Sequence, residues 1–527
     1  MTGGAATGQG APSAVGGARP LRILVVNWQD RLNPHAGGAE VHLHEVFGRL
    51  ASRGHEVTLL ASAWPAAPAR ERVDGLDVHR VGSRFTFGTA APAYYARHLR
   101  PIHFDVLVED LNKFPLLTPW WPGRPPAVLL VHHLFGAAAF ASTNPALAAA
   151  TWLAERLLPV AYRGIPAQAV SASTAAELVR CGLRARDIHV IHNGVDTGFL
   201  APDAGTPRAA APTLVYVGRL RRYKRVDVIV RALARLARAG LQAHLVVAGA
   251  GPEAPALRRL AAALGVQDAV HFAGFVDENE KRRLLRTAWA HVTASTKEGW
   301  GLTVLEAGAC GTTTVATDVP GLRDSVVHRR TGLLVPAGDA AALADALGAL
   351  LADREAVEAL GRAALDYATL HTWERAARET EAHLRAVADG RFDTAIPVGL
   401  RQRHPTSHVP LPRTGTGLRP FGAVTLVATR EGRGALARVT IRATLGAGDP
   451  DGRSPTLVLA GLPPELRAEL RPPADVVQVA PGDCARCVIW RLYGWPDDPG
   501  AWLAQSLSAS LPGEWSACVM PPDGNDR

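Results

Sequence analysis

Cysteine, methionine and lysine are scarce in this chain of 527 residues, numbering five, two and four. The cysteines (Cys181, Cys310, Cys484, Cys487 and Cys518) are too few and too scattered for a disulfide scaffold, and their odd count fits a reducing compartment. A long hydrophobic run is also missing. The most apolar stretch, Pro145 to Tyr162, is interrupted by Glu155 and Arg156 and reads as a packed helix and not a membrane span. The first twenty residues hold Gly, Ala and Pro without an apolar core, so a disordered lead-in is expected there and no export signal. No solenoid-type period is present either.

What remains is the composition of a soluble globular protein, 47% hydrophobic, 20% charged and 6% aromatic. Cores stop growing near ~250–300 residues, so the length implies about three domains. The net charge of +9 would ordinarily point to nucleic acid or an anionic membrane. Of the 57 basic residues, however, 53 are arginine, a bias better explained by genomic nucleotide composition than by a binding surface. Nucleic acid is therefore not an expected partner, and each of the lysines Lys113, Lys224, Lys281 and Lys297 becomes informative.

From Arg22 onward, short apolar runs alternate with amphipathic helical segments: 22–27, 56–61, 77–81, 104–109, 127–132 and 167–171 read as strands, with a helix over 39–53. A second series runs through 213–218, 243–249, 269–274, 290–295, 312–317 and 332–336, with helices over 225–238 and 302–310. Strands spaced by helices predict parallel sheets covered on both faces. The expected organisation is a lead-in (1–20), one α/β domain (21–200), a second (201–370), a helix packing back across both (371–390), an Arg/Pro-rich linker (391–419) and a β-sandwich-like domain (420–527).

Four local features point to one kind of ligand. The loop His35-Ala36-Gly37-Gly38-Ala39-Glu40 leads from the first strand into a helix, so two adjacent glycines and free N–H groups face an anion or nothing but a turn. After the strand 213–218, Gly218-Arg219 and Lys224 put a guanidinium fork and an ammonium at a strand's C-terminal end, where ligands of open α/β sheets bind. Both can converge on a diphosphate, though a solvated basic run has the same sequence. In Glu298-Gly299-Trp300-Gly301-Leu302-Thr303-Val304-Leu305-Glu306, a loop carboxylate and a helical one suit polyhydroxylated molecules, and Gly301 and Leu302 offer N–H groups at the helix start. The loop Gly249-Ala250-Gly251-Pro252 ends another strand without dinucleotide-fingerprint spacing. Finally, His132-His133 ends the strand 127–132, with no partner at zinc-ligand spacing. In the tail, Asp449-Pro450-Asp451 reads as a turn and Cys484-Ala485-Arg486-Cys487 as a lone C-x-x-C.

In combination, GGAE (37–40), VHH (131–133), HNGVD (192–196), the segment 217–227, GAGP (249–252) and E-x7-E (298–306) resemble the retaining nucleotide-sugar glycosyltransferases of glycosyltransferase family 4, over residues 21–390. The resemblance implies the α/β GT-B fold, with two facing Rossmann-like domains, the second for the nucleotide sugar and the first for the acceptor. Residues 420–527 are left as an unrecognised all-β extension. By that resemblance Arg219, Lys224, His132 and Glu298 carry catalysis. Gly218, Gly249, Gly251, Gly299, Trp300, Gly301, Leu302, Thr303 and Glu306 line the donor. Gly37, Gly38, Glu40 and His133 lie on the acceptor or phosphate side, and Asn193 and Asp196 shape the inter-domain loop.

The implied activity is hexosyl transfer from a nucleoside-diphosphate sugar, a substrate and not a cofactor, to an unidentified hydroxyl acceptor, without a metal. A cytoplasmic protein is expected, with 391–527 offering a peripheral membrane or protein contact. A phosphorylase or nucleotide-sugar epimerase of the same fold, or a non-catalytic glycan-binding or nucleotide-binding subunit, are the competing readings.

Overall fold

The computed structural model describes residues 19–391 apart from 113, 135 and 137–144, and, beyond them, the backbone of six strands between 424 and 520. Residues 1–398 form one compact unit and 399–527 a second.

The first lobe is an eight-stranded sheet in the order β3-β4-β2-β1-β5-β6-β7-β8. Its strands are β1 (Arg22–Val26), β2 (Glu56–Ser62), β3 (Arg70–Val73), β4 (Leu76–Val81), β5 (Val106–Leu111), β6 (Ala127–Val131), β7 (Ala167–Ala169) and β8 (Ile188–Val190). All neighbours are parallel except β3 with β4, an edge hairpin absent from the sequence expectation. Helices cover both faces, so the central strands read as unbroken apolar runs. Ile23, Leu24, Val25 and Val26 are all buried, as are all five residues of β6. The helical stretch expected over 145–162 divides into Pro145–Arg156 and Leu158–Ala161, because Pro159 has no N–H to continue the ladder.

The second lobe is a six-stranded, wholly parallel sheet in the order β11-β10-β9-β12-β13-β14. It contains β9 (Thr213–Val217), β10 (His244–Ala248), β11 (Val270–Gly274), β12 (Ala290–Thr293), β13 (Thr313–Thr317) and β14 (Gly332–Val335). The chain returns to the first lobe near residue 371. Val195 N donates to the His371 carbonyl at 2.8 Å, and a β-carbon on Gly194 would fall 2.2 Å from Trp373 N, so only glycine admits this crossing. The last helix, Trp373–Ala388, packs against the helix Gly38–Ser52, and Gln168 Nε2 donates to Thr380 Oγ1 at 3.1 Å. The two lobes thus share a hinge built from both crossings.

In the second unit the described strands form one mixed six-stranded sheet, ordered β18-β19-β17-β15-β16-β20. They are β15 (Val424–Glu431), β16 (Arg438–Leu445), β17 (Thr456–Ala460), β18 (Val476–Pro481), β19 (Cys487–Leu492) and β20 (Trp515–Met520). All six described strands of this unit belong to that one sheet. Residues 392–419, Asp449, Asp451 and Cys484 lie outside the described residues. Among the described residues no helix is long and apolar enough to cross a membrane.

Candidate functional site

The C-terminal ends of β9, β10 and β12 converge on one side of the cleft. Gly218 N donates to the Ala248 carbonyl at 2.9 Å, and Leu220 N to the Ala250 carbonyl at 2.9 Å, so the loops after β9 and β10 lie backbone against backbone. A β-carbon on Gly249 would sit 1.9 Å from the Gly218 carbonyl oxygen, and one on Gly251 2.3 Å from that of Leu220. These glycines therefore serve loop packing here, which holds Gly218-Arg219 in place, where the sequence had suggested direct approach to a nucleotide.

Lys224 ends a short 3-10 turn, and its Nζ donates to Glu298 Oε1 at 2.5 Å. Ser295 Oγ donates to the same oxygen at 2.6 Å, and Thr317 Oγ1 fixes the Ser295 carbonyl at 2.6 Å. Burial alone would lower the Lys224 pKa, but the Glu298 charge more than reverses it, so the ammonium is held above its ordinary value and stays charged. The Glu298 loop is pinned to its own lobe by Thr296 N on the Tyr223 carbonyl (2.9 Å) and Glu298 N on the Pro320 carbonyl (3.2 Å). Gly301, at φ +87°, turns the chain into the helix Leu302–Ala309. One turn on, Glu306 Oε1 accepts from Lys281 Nζ at 2.8 Å, and Lys281 also meets Glu278 at 2.7 Å.

Facing this, the helix Gly38–Ser52 begins with Gly37 N donating to Glu40 Oε2 at 2.6 Å, the back half of a capping box. Arg219 is exposed and reaches across the cleft. Its Nη1 donates to the His35 carbonyl at 3.3 Å, and a β-carbon on Gly37 would fall 3.0 Å from its Nη2. A β-carbon on Gly38 would meet Leu302 Cδ1 at 3.2 Å. The glycine pair thus lets the second lobe approach. Its closeness to Arg219, which the sequence could not show, joins the two Gly/Arg motifs into one site.

His132 is buried at the end of β6 and its Nε2 lies 3.2–3.3 Å from both oxygens of Asp110, at the end of neighbouring β5. Burial would lower its pKa, but the Asp110 charge and hydrogen bond, with Glu40 beyond, raise it above the ordinary value. Glu40 is itself pushed up by burial against the pull of the Gly37 N–H. His42, one ring away at 5.0 Å between centroids, is fully buried and held down at about 3 by burial and the His132 charge. A half-buried His133 follows His132.

Of the residues singled out from sequence, the structure brings Gly37, Gly38, Glu40, His132, Gly218, Arg219, Lys224, Glu298, Gly299, Gly301 and Leu302 to one cleft. Thr303 and Glu306 follow on the helix leaving it. Trp300 departs from expectation: its side chain is 2% exposed and stacks on His192 at 4.2 Å, with His371 at 5.5 Å. Its indole belongs to the hinge core, leaving only backbone for a ligand. Missed altogether were Asp110, His42 and Glu177, while Lys281 and Lys297 were marked only by the scarcity of lysine, without a role. Among the described residues, no three His, Cys, Asp or Glu side chains gather as a metal set.

Comparison with known proteins follows the same division. A family model described as Glycosyltransferase Family 4 matches residues 36–199, and one described as Glycosyl transferases group 1 matches 203–366. The D-inositol 3-phosphate glycosyltransferase of Kribbella flavida is 31% identical over 388 residues, covering 67% of this chain and 92% of the relative. The GDP-mannose-dependent alpha-(1-6)-phosphatidylinositol monomannoside mannosyltransferase of Mycobacterium tuberculosis is 30% identical over 398 residues, covering 69% and 98%. Among solved structures, sucrose-phosphate synthase from Thermosynechococcus elongatus superposes with a TM-score of 0.60 at 23% identity, covering 70% of this chain and 100% of that one. Anabaena Alr3699/HepE in complex with UDP and glucose gives 0.58 at 19%, covering 69% and 100%. Two parallel-sheet lobes facing across a glycine-lined cleft, with both family models in register on them, make the chain a member of glycosyltransferase family 4, a glycosyltransferase of the GT-B fold.

Proposed function

We propose that the chain transfers a sugar from a nucleoside diphosphate to an acceptor hydroxyl with retention of anomeric configuration. The observation that carries this reading is the placement of Arg219 and the ion-paired Lys224–Glu298 on one wall of the cleft, opposite His132–Asp110 on the other. The solved neighbour that contains UDP and glucose and the GDP-mannose-dependent relative support a nucleotide-sugar donor.

In this reading the diphosphate lies between the Arg219 guanidinium and the Lys224 ammonium, which supply the positive charge that a metal supplies elsewhere. Glu298, its one oxygen fixed by Lys224 and Ser295, offers the other to sugar hydroxyls. Glu306, oriented by Lys281, accepts from the ribose. His132, its Nε2 held by Asp110, donates its remaining N–H to the sugar. The acceptor hydroxyl attacks the anomeric carbon from the face the diphosphate leaves. The C–O bond to the phosphate breaks, its electron pair stays on the phosphate oxygen, and that oxygen takes the acceptor's proton. Glu298 forms no covalent intermediate, unlike the paired carboxylates of retaining glycosidases, which stand ~5 Å apart.

A panel of nucleotide sugars scored by protection against heat unfolding, followed by transfer assays with the protecting donor, tests the reading. A protecting donor whose effect is lost in Arg219→Ala, and a product of the donor's own anomeric configuration, are expected. An inverted product, or a covalent glycosyl-enzyme trapped in Glu298→Gln, would overturn the mechanism.

A further inference from the structure

Residues 297 to 299 are consecutive, yet the first and third are fastened to one lobe and the second to the other. Lys297 Nζ lies 2.8 Å from Glu177 Oε1 and 2.9 Å from Oε2, astride the carboxylate, and the two side chains are only 16% and 13% exposed. Glu177 belongs to the first-lobe helix Ala172–Cys181. One turn earlier on the same face, Thr174 Oγ1 donates to the His132 carbonyl at 2.9 Å. A β-carbon on Gly299 would fall 2.5 Å from that same carbonyl oxygen, so the backbone of the second lobe presses directly on His132. Between these two first-lobe contacts, Glu298 turns back to Lys224 and Ser295 of its own lobe.

We propose that the Glu177–Lys297 ion pair couples closure of the two lobes to the placement of Glu298, making Glu177 and Lys297 positioning residues for donor binding. The inference rests on the reading of Glu298 as a donor-sugar contact. Adjacent Cα atoms are a fixed ~3.8 Å apart, so a lobe movement that drags Lys297 displaces Glu298 with it. An exposed ion pair would be too weak and too mobile for this. This one is mostly sheltered, engages both carboxylate oxygens and is set in register with His132 by Thr174. It therefore fixes where Glu298 stands relative to the first-lobe wall of the cleft.

The test is a charge reversal and its swap in the full chain: Glu177→Lys, Lys297→Glu and Glu177→Lys/Lys297→Glu. Initial rates are measured with the donor that protects the wild type, and hydrogen–deuterium exchange is followed with no ligand present. Each single reversal is expected to lower kcat/KM for the donor at least tenfold, chiefly through KM. Exchange at 130–134 and 294–301 should quicken together while β10 keeps its protection. The swap should restore kcat/KM to within about threefold. Unchanged kcat/KM in the single reversals overturns the proposal. So does a swap that restores the melting temperature and not kcat/KM. If the wild type takes no nucleotide sugar, the donor reading falls by itself, and exchange still decides the coupling: joint quickening of the two segments supports it and its absence refutes it.

Discussion

Replacing Lys224 by methionine removes a charge that is asked to do two separable things. In the folded chain its ammonium is the cationic partner of Glu298, and the two side chains are 19% and 17% exposed. Without it the carboxylate keeps only the Ser295 hydroxyl. Stranding one member of a buried pair costs about 3–5 kcal/mol, and the residual exposure here puts the expected loss near ~3 kcal/mol. The same ammonium stabilises charge on the departing diphosphate, and loss of one such preorganised group costs a factor of about 10²–10³ in kcat. The two effects separate in Lys224→Met/Glu298→Gln, where no unpaired charge remains. Stability should then recover most of the ~3 kcal/mol, while kcat stays at or below that of Lys224→Met. Thermal unfolding and initial rates on the same preparations provide both numbers. A Lys224→Met enzyme within tenfold of wild type, or a double variant that regains rate along with stability, would refute the reasoning.

Further outcomes follow from other contacts. Gly249→Ala places a β-carbon 1.9 Å from the Gly218 carbonyl and should severely destabilise the second lobe. Gly38→Ala meets only the movable tip of Leu302 at 3.2 Å and should fold normally in a thermal melt. Trp300→Ala should lower stability by about 3–5 kcal/mol, the range for a buried aromatic, without altering donor selectivity in a competition assay. Burial holds His42 and His383 at about 3 and His371 at about 4, against an ordinary 6.5. A depressed native pKa means stability that is complete above pH 6.5 and is lost as pH falls toward those values. Each histidine adds up to about 1.4 kcal/mol per pH unit. Urea midpoints should drop steadily from pH 6.5 to 5, with a shallower slope in His383→Gln, and a flat profile would contradict the burial argument. Asp110→Asn should shift the alkaline limb of the kcat/KM profile to lower pH, because His132 acts as a doubly protonated donor and the charge that raises its pKa is gone.

The parts legible in the sequence are those governed by local patterning. Strands such as 23–26 and 127–131 lie buried on both faces of parallel sheets and so show as unbroken apolar runs. The edge strand Arg70–Val73 escapes because it carries Arg70, Glu71 and Arg72 and pairs on one side only. The break before Leu158 was missed, because the apolar run 145–162 outweighed the signal of Pro159. At the site, the glycines and charged residues declared themselves by standing at strand ends. Their partners did not, since Asp110 meets His132, and Glu177 meets Lys297, only through tertiary packing. Trp300 misled for the same reason: an aromatic in a Gly-rich loop looks like a cleft wall until His192 and His371 arrive from distant segments to cover it. The scarcity of lysine was the most informative compositional signal. Lys224, Lys281 and Lys297 each proved to hold a glutamate at the cleft, two of them Glu298 and Glu306.

The central claim is that Arg219 and Lys224 hold the diphosphate of a nucleotide sugar. Titration calorimetry of the full chain with nucleoside diphosphates and their sugars, at fixed salt, tests it most directly. The account predicts saturable binding of at least one of them and a loss of at least tenfold in affinity in Arg219→Ala at unchanged melting temperature. Binding that is indifferent to Arg219→Ala, or no binding by the wild type to any of them, would contradict it.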